Sequence, residues 1–421
     1  MAPPPGQNTS MPTRKALTTQ AIIAALTLTL TSCGSNGEVA DGNSEAFTFG
    51  LLYPQTGTLA FLGPPQLASA EYAIADINEA GGILGTEVPE ITQADEAGES
   101  GQANDAANDL VADEVNAVIG ASASNMTQAV YDTITGAEIV QCSGSNTAAE
   151  LTDIDDDGYF FRTAPSDLMA GPVLAQQIVD DGHRTVALAA RADDYGSGYL
   201  HAVQDELESH GVQVVLSEAY DPDTANFGAV IEGLSNAQAD AVTLISFEEG
   251  TQILAALLEG EVEGEQIYVT DGLNDPELGS TVSDDPTLIT GATGVAPSAD
   301  NPDFNEGLTE FEPDLEVLQY APHVYDCFIS VALAAESAGS VEPTEYVSHL
   351  ADVTRPEGTE CTTFAECRDL LGNGQAIDYQ GASGDIDFDD NGDPTSATFE
   401  VFHFGDDGYE ILEYIDYATT E

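Results

Sequence analysis

The sequence predicts an α/β protein with two doubly wound lobes, each built on a parallel sheet that helices cover on both faces. Short apolar runs alternate with amphipathic stretches of helical length, which is the pattern of βαβ units. The alternation occurs in two series, with a break near residues 161–171. Hydrophobic residues make up 42% of the chain, so it can bury a large core and is not expected to be disordered.

The first series begins at Phe47 and the second at Thr185. In the first, the pattern predicts strands at 47–52, 88–94, 117–119 and 138–141 and helices at 68–80, 102–113 and 127–135. In the second, it predicts strands at 185–190, 212–219, 241–246 and 266–270 and helices at 198–210, 227–237 and 250–259. Residues 320–349 are predicted to be helical and 397–414 strand-like. A chain that returns late to complete earlier lobes is expected of a hinged two-lobe protein.

The charge of the chain is strongly negative. Its 75 aspartates and glutamates stand against seven lysines and arginines, for a formal net charge of −68. Such a surface cannot neutralise a phosphate backbone, which argues against nucleic-acid binding. An anionic membrane surface would repel it as well.

Self-repulsion among these acids destabilises the compact state, and salt screens it. We therefore expect a halophilic or haloalkaliphilic source and a melting temperature that rises between dilute buffer and molar salt. Thermal denaturation followed by circular dichroism across this salt range measures the shift. An unchanged melting temperature would contradict the prediction.

The N-terminal segment has the parts of a secretory signal. Arg14 and Lys15 form a positive region, residues 21–30 an apolar run, and small residues precede Cys33. The run is shorter than the roughly 20 apolar residues that span a bilayer. Leu30-Thr31-Ser32-Cys33 also resembles the lipobox of bacterial lipoproteins, in which the cysteine becomes the lipidated N-terminus. The alternative is an ordinary signal peptide with an incidental cysteine.

We therefore expect a lipoprotein signal peptide over residues 1–32 and a polar, flexible tether over 33–46. Such a protein works outside the cytoplasm and is held to the cell membrane by its lipid. Because the surface is so acidic, the lipid rather than electrostatic attraction has to provide the anchor.

Four cysteines remain besides Cys33, and in an oxidising compartment they allow three pairings. Cys361 and Cys367 are close in sequence, so a local disulfide between them is the first choice. Cys142 and Cys327 are then left, either bridged or both free. The spacing does not indicate a zinc site.

Enzyme motifs are absent from the sequence. It has no Gly-x-Ser-x-Gly, His-Glu-x-x-His, P-loop or Gly-x-Gly-x-x-Gly motif, and its six histidines show no metal-ligand spacing. Residues 153–158 and 387–392 begin like calcium loops, but position twelve is Ala164 or Thr398 instead of the bidentate glutamate. We interpret both as acidic turns and expect no metal, no cofactor and no catalysis.

The loops after the predicted strands are rich in small hydroxyl residues, and ligands of parallel sheets bind at this edge. Ser124 is either the N-cap of the helix that follows or part of a carboxylate site, since free N–H groups point outward there. Asp271 also follows a strand. It could hold an ammonium group, but in a chain with 75 acids it could equally lie in a surface turn.

Eight segments of the chain, taken in order, resemble one protein family. Seven of them are YPQTGTLAFLG (53–63), AIADINEAGGILG (73–85), IGASASNMTQAV (119–130), CSGSNTAAELT (142–152), FFRTAPSD (160–167), RADDYGSG (191–198) and VTDGLNDPEL (269–278). Together they resemble the Leu/Ile/Val-type substrate-binding proteins of ABC transporters. The eighth, residues 360–384, is similar to an actinobacterial branch of that family.

The resemblance covers the chain from Phe47 onward and implies the type I periplasmic-binding fold. In that fold two doubly wound lobes are joined by a multi-stranded hinge. Carried onto this sequence, it implies one lobe from residues 47–166 plus 297–396 and a second from residues 167–296 plus 397–421.

The family binds an α-amino acid between lobes that close on it. Motif by motif, the resemblance implies Ser124 at the ligand carboxylate, Tyr195 over the ligand and Asp271 at the ammonium group. Asn146 stands where a small residue is usual, which leaves the side-chain preference open. The full set of implied contact residues is Ser124, Ser145, Thr147, Tyr195, Asp271, Phe61 and Phe247.

We therefore expect a monomeric solute-binding lipoprotein that captures an amino acid, of branched-chain type or a related small amide, and delivers it to an ABC permease. Two alternatives stay open: a ligand-sensing module of a membrane receptor, and a binder of urea, an amide or an aromatic acid. An extracellular hydrolase is a third class, but the sequence has no nucleophile motif for it.

Overall fold

The computed structural model describes residues 46–260, 262–406 and 408–419. The predicted signal peptide, Cys33 and the tether up to residue 45 lie outside these residues, so the lipid anchor stays a prediction. Among the described residues, no single helix is long and apolar enough to cross a membrane; one bent pair, Ala321–Ala338 with Pro343–His349, passes by length and composition alone.

The first sheet has five strands in the described part of the chain, in the spatial order β2-β1-β3-β4-β5, and all of its pairings are parallel. Every strand except the edge strand β2 is a fully buried run, as expected of a parallel sheet whose two faces are covered. The strands are β1 (Phe49–Tyr53), β2 (Thr92–Asp95), β3 (Ala117–Gly120), β4 (Val140–Ser143) and β5 (Phe160–Arg162).

The second sheet has seven strands over the described ranges, in the order β14-β13-β10-β9-β8-β6-β7. β6 to β10 are parallel to one another, whereas β13 is antiparallel to both β10 and β14. The strands are β6 (Thr185–Arg191), β7 (Gln213–Tyr220), β8 (Ala241–Ile245), β9 (Ile267–Thr270), β10 (Thr293–Ser298), β13 (Ser396–Gly405) and β14 (Gly408–Ala418); a separate parallel pair is β11 (Thr359–Cys361) and β12 (Ile377–Tyr379).

The C-terminal hairpin differs from the single strand-like tail that the sequence predicts. Gly405 pairs with Gly408, so the chain reverses there, and Gly408 has a φ of +108°, which a residue with a side chain rarely adopts. The second sheet is therefore mixed instead of wholly parallel.

The helices follow the predicted alternation, with shifted ends. α1 begins at Gly63, five residues before the predicted start, because Pro64 and Pro65 occupy the first turn, where a helix needs no N–H donor. α10 ends before Gly339, whose left-handed conformation closes the helix. The helices are α1 (Gly63–Glu79), α2 (Ser100–Ala112), α3 (Ser124–Thr135), α4 (Asp167–Asp180), α5 (Asp194–Ser209), α6 (Gly228–Ala237), α7 (Gly250–Glu259), α8 (Leu278–Val282), α9 (Pro302–Phe311), α10 (Ala321–Ala338), α11 (Pro343–Tyr346) and α12 (Phe364–Gly372).

Both disulfides that the sequence left open are formed. Cys361 is bonded to Cys367 across six positions, and Cys142 is bonded to Cys327 across 185 positions. The second bond joins β4 to α10, and both of its cysteines are fully buried.

Replacing both Cys142 and Cys327 by alanine is expected to lower the free energy of unfolding more than the same change at Cys361 and Cys367. In the chain-entropy model, a loop of about 185 residues contributes about 5 kcal/mol and one of about six residues about 2 kcal/mol. Urea unfolding in molar salt measures both losses. Equal losses for the two double variants would contradict the loop-length argument.

Candidate ligand-binding site

A narrow cavity lies at the carboxyl ends of strands from both sheets, where ligands of parallel sheets bind. Six of the seven contact residues implied by sequence line it together, although they are spread over 148 positions of the chain. Those six are Ser124, Ser145, Thr147, Tyr195, Phe247 and Asp271; the other lining residues are Leu59, Leu62, Ser122, Ala123, Gly272 and Tyr320.

Phe61 is the seventh, and it does not line this cavity. It lines a neighbouring one together with Leu273 and Leu278. Residues 60–62 form a short 3₁₀ turn, in which side chains three positions apart point the same way. Leu59 and Leu62 therefore face the first cavity and Phe61, between them, faces elsewhere.

Asp271 forms the acidic wall of the cavity. It follows β9 directly, is 5% exposed, and accepts hydrogen bonds from the hydroxyls of Tyr195 and Tyr320, each at 2.8 Å. Because Tyr195 gives its only hydroxyl proton to Asp271, it accepts the proton of Thr270 at 2.7 Å. Burial raises the pKa of Asp271, although both tyrosine hydrogen bonds lower it.

A second buried acid, Asp167, lies beside this wall. It is the first residue of α4, is fully buried, and its N–H donates to the carbonyl of Thr147 at 2.7 Å. Neither of its carboxylate oxygens has a hydrogen-bond partner among the described residues. Burial, and after it the charge of Asp271, raises the pKa of Asp167.

Sequence reasoning missed Asp167 and Tyr320. Asp167 ends the quoted segment FFRTAPSD, so the motif match contained the signal, but no role was assigned to it. Tyr320 lies immediately before α10 in the left-handed region, with a φ of +63°. A non-glycine residue in that conformation cannot be recognised from the local pattern.

Donor groups also line the cavity. The hydroxyl oxygen of Ser124 accepts the N–H groups of Thr147 at 3.2 Å and Ala148 at 3.1 Å. Its hydroxyl proton therefore remains available to an acceptor on a ligand. Ser124 is also the first residue of α3, where the helix dipole favours an anion.

The interpretation of Ser124 as an N-cap is wrong. The N-cap of α3 is Ala123, and no side chain caps the helix. The serine hydroxyl instead joins α3 to the loop after β4, so that both loops meet at the cavity. Asn146, which stands where the family usually has a small residue, does not line the cavity. Its side-chain amide instead donates to the hydroxyl of Thr127 at 2.8 Å.

Glu96 supports the loop that leads into α3. It is 1% exposed, and its two carboxylate oxygens accept the N–H groups of Ser122 at 2.6 Å and Ala123 at 3.1 Å. Burial raises the pKa of Glu96 to about 8, against the lowering by these two hydrogen bonds.

The free energy of unfolding is expected to contain a contribution from Glu96 that falls as pH rises from about 4.5 to about 8. In this window the folded protein keeps a proton that the unfolded chain releases, so stability falls by up to about 1.4 kcal/mol per pH unit. The Glu96→Gln side chain cannot ionise. Urea unfolding should therefore show that the free energy of unfolding of this variant increases relative to that of the wild type as pH rises. Glu99→Gln, on the exposed neighbour, is the control; a Glu96→Gln difference that does not vary with pH would contradict the assignment.

Three carboxylates away from the cavity could in principle share a cation. Oxygen atoms of Asp378, Asp385 and Asp387 lie within 4.8 Å of one another. Burial, and then repulsion from the other two acids, raises the pKa of Asp387 to about 6. Asp387 begins the calcium-like stretch 387–392, in which Asp389 accepts the N–H groups of Asn391 and Asp393 and closes an acidic turn.

Curated relatives match most of the chain. It is 26% identical over 358 residues to the Leu/Ile/Val-binding protein BraC3 of Rhizobium johnstonii, covering 84% of this chain and 90% of the relative. It is 24% identical over 369 residues to the leucine-, isoleucine-, valine-, threonine- and alanine-binding protein of Pseudomonas aeruginosa, covering 86% and 91%.

Solved structures show the same fold. The leucine-binding protein LivK of Thermotoga maritima superimposes with a TM-score of 0.73 at 19% identity, over 88% of this chain and 99% of that one. A solute-binding protein of R. palustris in complex with 4-hydroxybenzoate superimposes with a TM-score of 0.70 at 16% identity, over 90% and 98%. The family model described as receptor family ligand binding region matches residues 66–407. The chain therefore belongs to that family, and its fold is the type I periplasmic-binding fold of the Leu/Ile/Val-type substrate-binding proteins.

Proposed function

We propose that this protein is an extracytoplasmic solute-binding protein that captures an α-amino acid and delivers it to an ABC permease, without catalysing a reaction. The observation that carries the proposal is the polarity of the cavity. The buried carboxylate of Asp271 and the hydroxyl of Ser124, at the N-terminus of α3, line the same cavity, and Asp167 is buried near Asp271.

This polarity matches the two charges of an α-amino acid. An ammonium group adds a donor to Asp271, which lines the cavity, and its positive charge offsets the cost of burying Asp271 beside Asp167. A carboxylate accepts the proton of Ser124 at the positive end of α3. The relatives named for amino-acid binding support the same class of ligand.

Binding would proceed by hinge closure of two lobes, 47–166 plus 297–396 and 167–296 plus 397–421. The division into two sheets supports two lobes, since β1–β5 lie in the first and β6–β10, β13 and β14 in the second; β10 runs two residues past the boundary at 296 and β13 begins one residue before 397. A ligand that contacts both lobes stabilises the closed state. The lipid at Cys33 would hold this monomeric protein near its permease.

An aromatic acid is the second candidate ligand. A structural neighbour is in complex with 4-hydroxybenzoate, and Phe247 stacks on Tyr195 with ring centroids 5.0 Å apart. Such a ligand has no cation for the two buried acids, and for that reason we place it second.

A sensory role is distinguished by the neighbouring genes, which would encode a permease and an ATPase for transport and a kinase for sensing.

A thermal-shift screen in molar salt tests the proposal. The panel contains the amino acids, urea, small amides, benzoate and 4-hydroxybenzoate. We expect at least one α-amino acid to raise the melting temperature in proportion to the logarithm of its concentration. A shift produced by benzoates alone would overturn the amino-acid assignment, and turnover of an amide would overturn the non-catalytic role.

A further inference from the structure

A second cavity adjoins the one that holds Asp271. The two cavities share three wall residues, Leu59, Ala123 and Phe247. Because of this shared wall, the side chain of an amino acid bound at Asp271 and Ser124 would be directed toward the second cavity, which we call the distal cavity. The remaining residues of its wall are Pro54, Thr56, Thr58, Glu96, Gly98, Asn125 and Arg191.

The distal cavity has two ionisable side chains, Arg191 and Glu96, and both oxygens of Glu96 already accept backbone N–H groups. The guanidinium carbon of Arg191 lies 3.6 Å from the centroid of the Phe247 ring. The arginine residue as a whole is 6% exposed. Nε donates to Asp193 at 2.6 Å and Nη1 to Glu249 at 2.9 Å. Nη2 has no hydrogen-bond partner in the part of the chain that the structure describes, so it can donate to an acceptor in the cavity.

Asn125 supplies a second unused polar group. It is half-buried, and its side-chain amide has no hydrogen-bond partner among residues 46–260, 262–406 and 408–419. An amide offers both a donor and an acceptor. The distal cavity thus combines a spare N–H group of Arg191 with an uncommitted amide, and it is not a plain aliphatic pocket.

We propose, on the basis of the proposed function, that the preferred ligand is an α-amino acid whose side chain ends in a carboxamide. Its carbonyl oxygen accepts from Arg191, and its NH₂ group donates to the side-chain oxygen of Asn125. The methylene groups of such a side chain contact Leu59 and Phe247 on the way.

The local charges select against the two obvious competitors. Arg191 is already paired with both Asp193 and Glu249, so an added side-chain carboxylate would bring a third negative charge to a single positive one. An aliphatic side chain would exclude water from Arg191 and Asn125 without replacing their hydrogen bonds. A site built to hydrogen-bond its ligand rejects such an analogue strongly.

Isothermal titration of the protein in molar salt with glutamine, asparagine, leucine, isoleucine and glutamate tests this preference. We expect glutamine or asparagine to bind at least tenfold more tightly than the other three. If leucine or isoleucine binds as tightly or more tightly, the carboxamide preference is overturned while the proposed function stands. If no amino acid binds, the proposed function fails and the preference with it.

Asn125→Leu tests the distal cavity directly and leaves the ion pairs of Arg191 in place. We expect it to weaken binding of the carboxamide ligand at least tenfold and to leave leucine binding unchanged or stronger. Asn108→Leu, on the exposed face of α2, is the matched control and should change neither affinity. Cooperative unfolding of each variant verifies the fold, and equal weakening of both ligands by Asn125→Leu would overturn the assignment.

Discussion

Asp271→Asn is expected to weaken amino-acid binding by about 100-fold or more and to leave the protein folded. Removing one member of a buried charge pair typically costs 2–5 kcal/mol, and about 2.7 kcal/mol corresponds to 100-fold in affinity. The wild-type carboxylate is held by Tyr195 and Tyr320, so it is fixed in place before a ligand arrives. Such preorganisation concentrates the binding free energy in this one group.

The fold should survive because asparagine has nearly the same shape as aspartate. Its oxygen still accepts from one tyrosine, and the buried negative charge, which is costly without a ligand, is gone. Calorimetric titration in molar salt measures the affinity and urea unfolding the stability. Asp205→Asn, on the exposed face of α5, is the control. An affinity that Asp271→Asn does not change would remove Asp271 from the ligand site.

Arg162→Met is expected to give the largest loss of stability among single substitutions proposed for this protein, about 3–5 kcal/mol. Arg162 is fully buried and bonds Asp393 through two parallel contacts, Nε to Oδ1 at 2.5 Å and Nη2 to Oδ2 at 2.7 Å. Removing the guanidinium leaves the 6%-exposed Asp393 as a buried charge with no cation beside it. Nη1 also donates to the carbonyl of Ala148 at 2.7 Å, directly after the ligand loop.

Two further variants separate the causes of this loss. Arg355→Met removes a pair whose side chains are 58% and 56% exposed, and it should cost no more than about 1 kcal/mol. Asp393→Leu added to Arg162→Met should recover part of the stability, because the unpaired charge is gone. Urea unfolding measures all three, and similar losses for Arg162→Met and Arg355→Met would contradict the burial argument.

The fold was largely predictable because its signal is local. Strands such as β8 (Ala241–Ile245) are continuous apolar runs, and helices such as α7 (Gly250–Glu259) repeat apolar residues at helical spacing. The first residue of β8 and both ends of α7 agree with the prediction. The strands β5 and β10, which are short or interrupted, were not predicted, and neither were the helices α4 and α9. β5 contains Arg162, whose charge hides a buried strand until its partner 231 positions away is known.

The candidate site was predicted less completely because its members are defined by neighbours that are distant in sequence. Motif order pointed to Ser124, Thr147 and Asp271, and the structure brings them to one cavity. Phe61 is implied by the family resemblance, whereas the direction of a side chain in a 3₁₀ turn depends on where the turn lies. Asp167 looked like any of the 75 acids of the chain until its burial was known.

Composition, periodicity and motif order were sufficient for the α/β class, the two series of strands and the acidic character, since each is encoded over a few consecutive residues or summed over the whole chain. Burial and hydrogen-bond pairing needed the folded chain. Whether an acid is solvated, paired or left alone in a cavity depends on groups that folding brings within a few ångströms, and these groups determine its pKa and its chemistry. The unpartnered carboxylate of Asp167 and the spare N–H group of Arg191 are therefore properties of the tertiary structure.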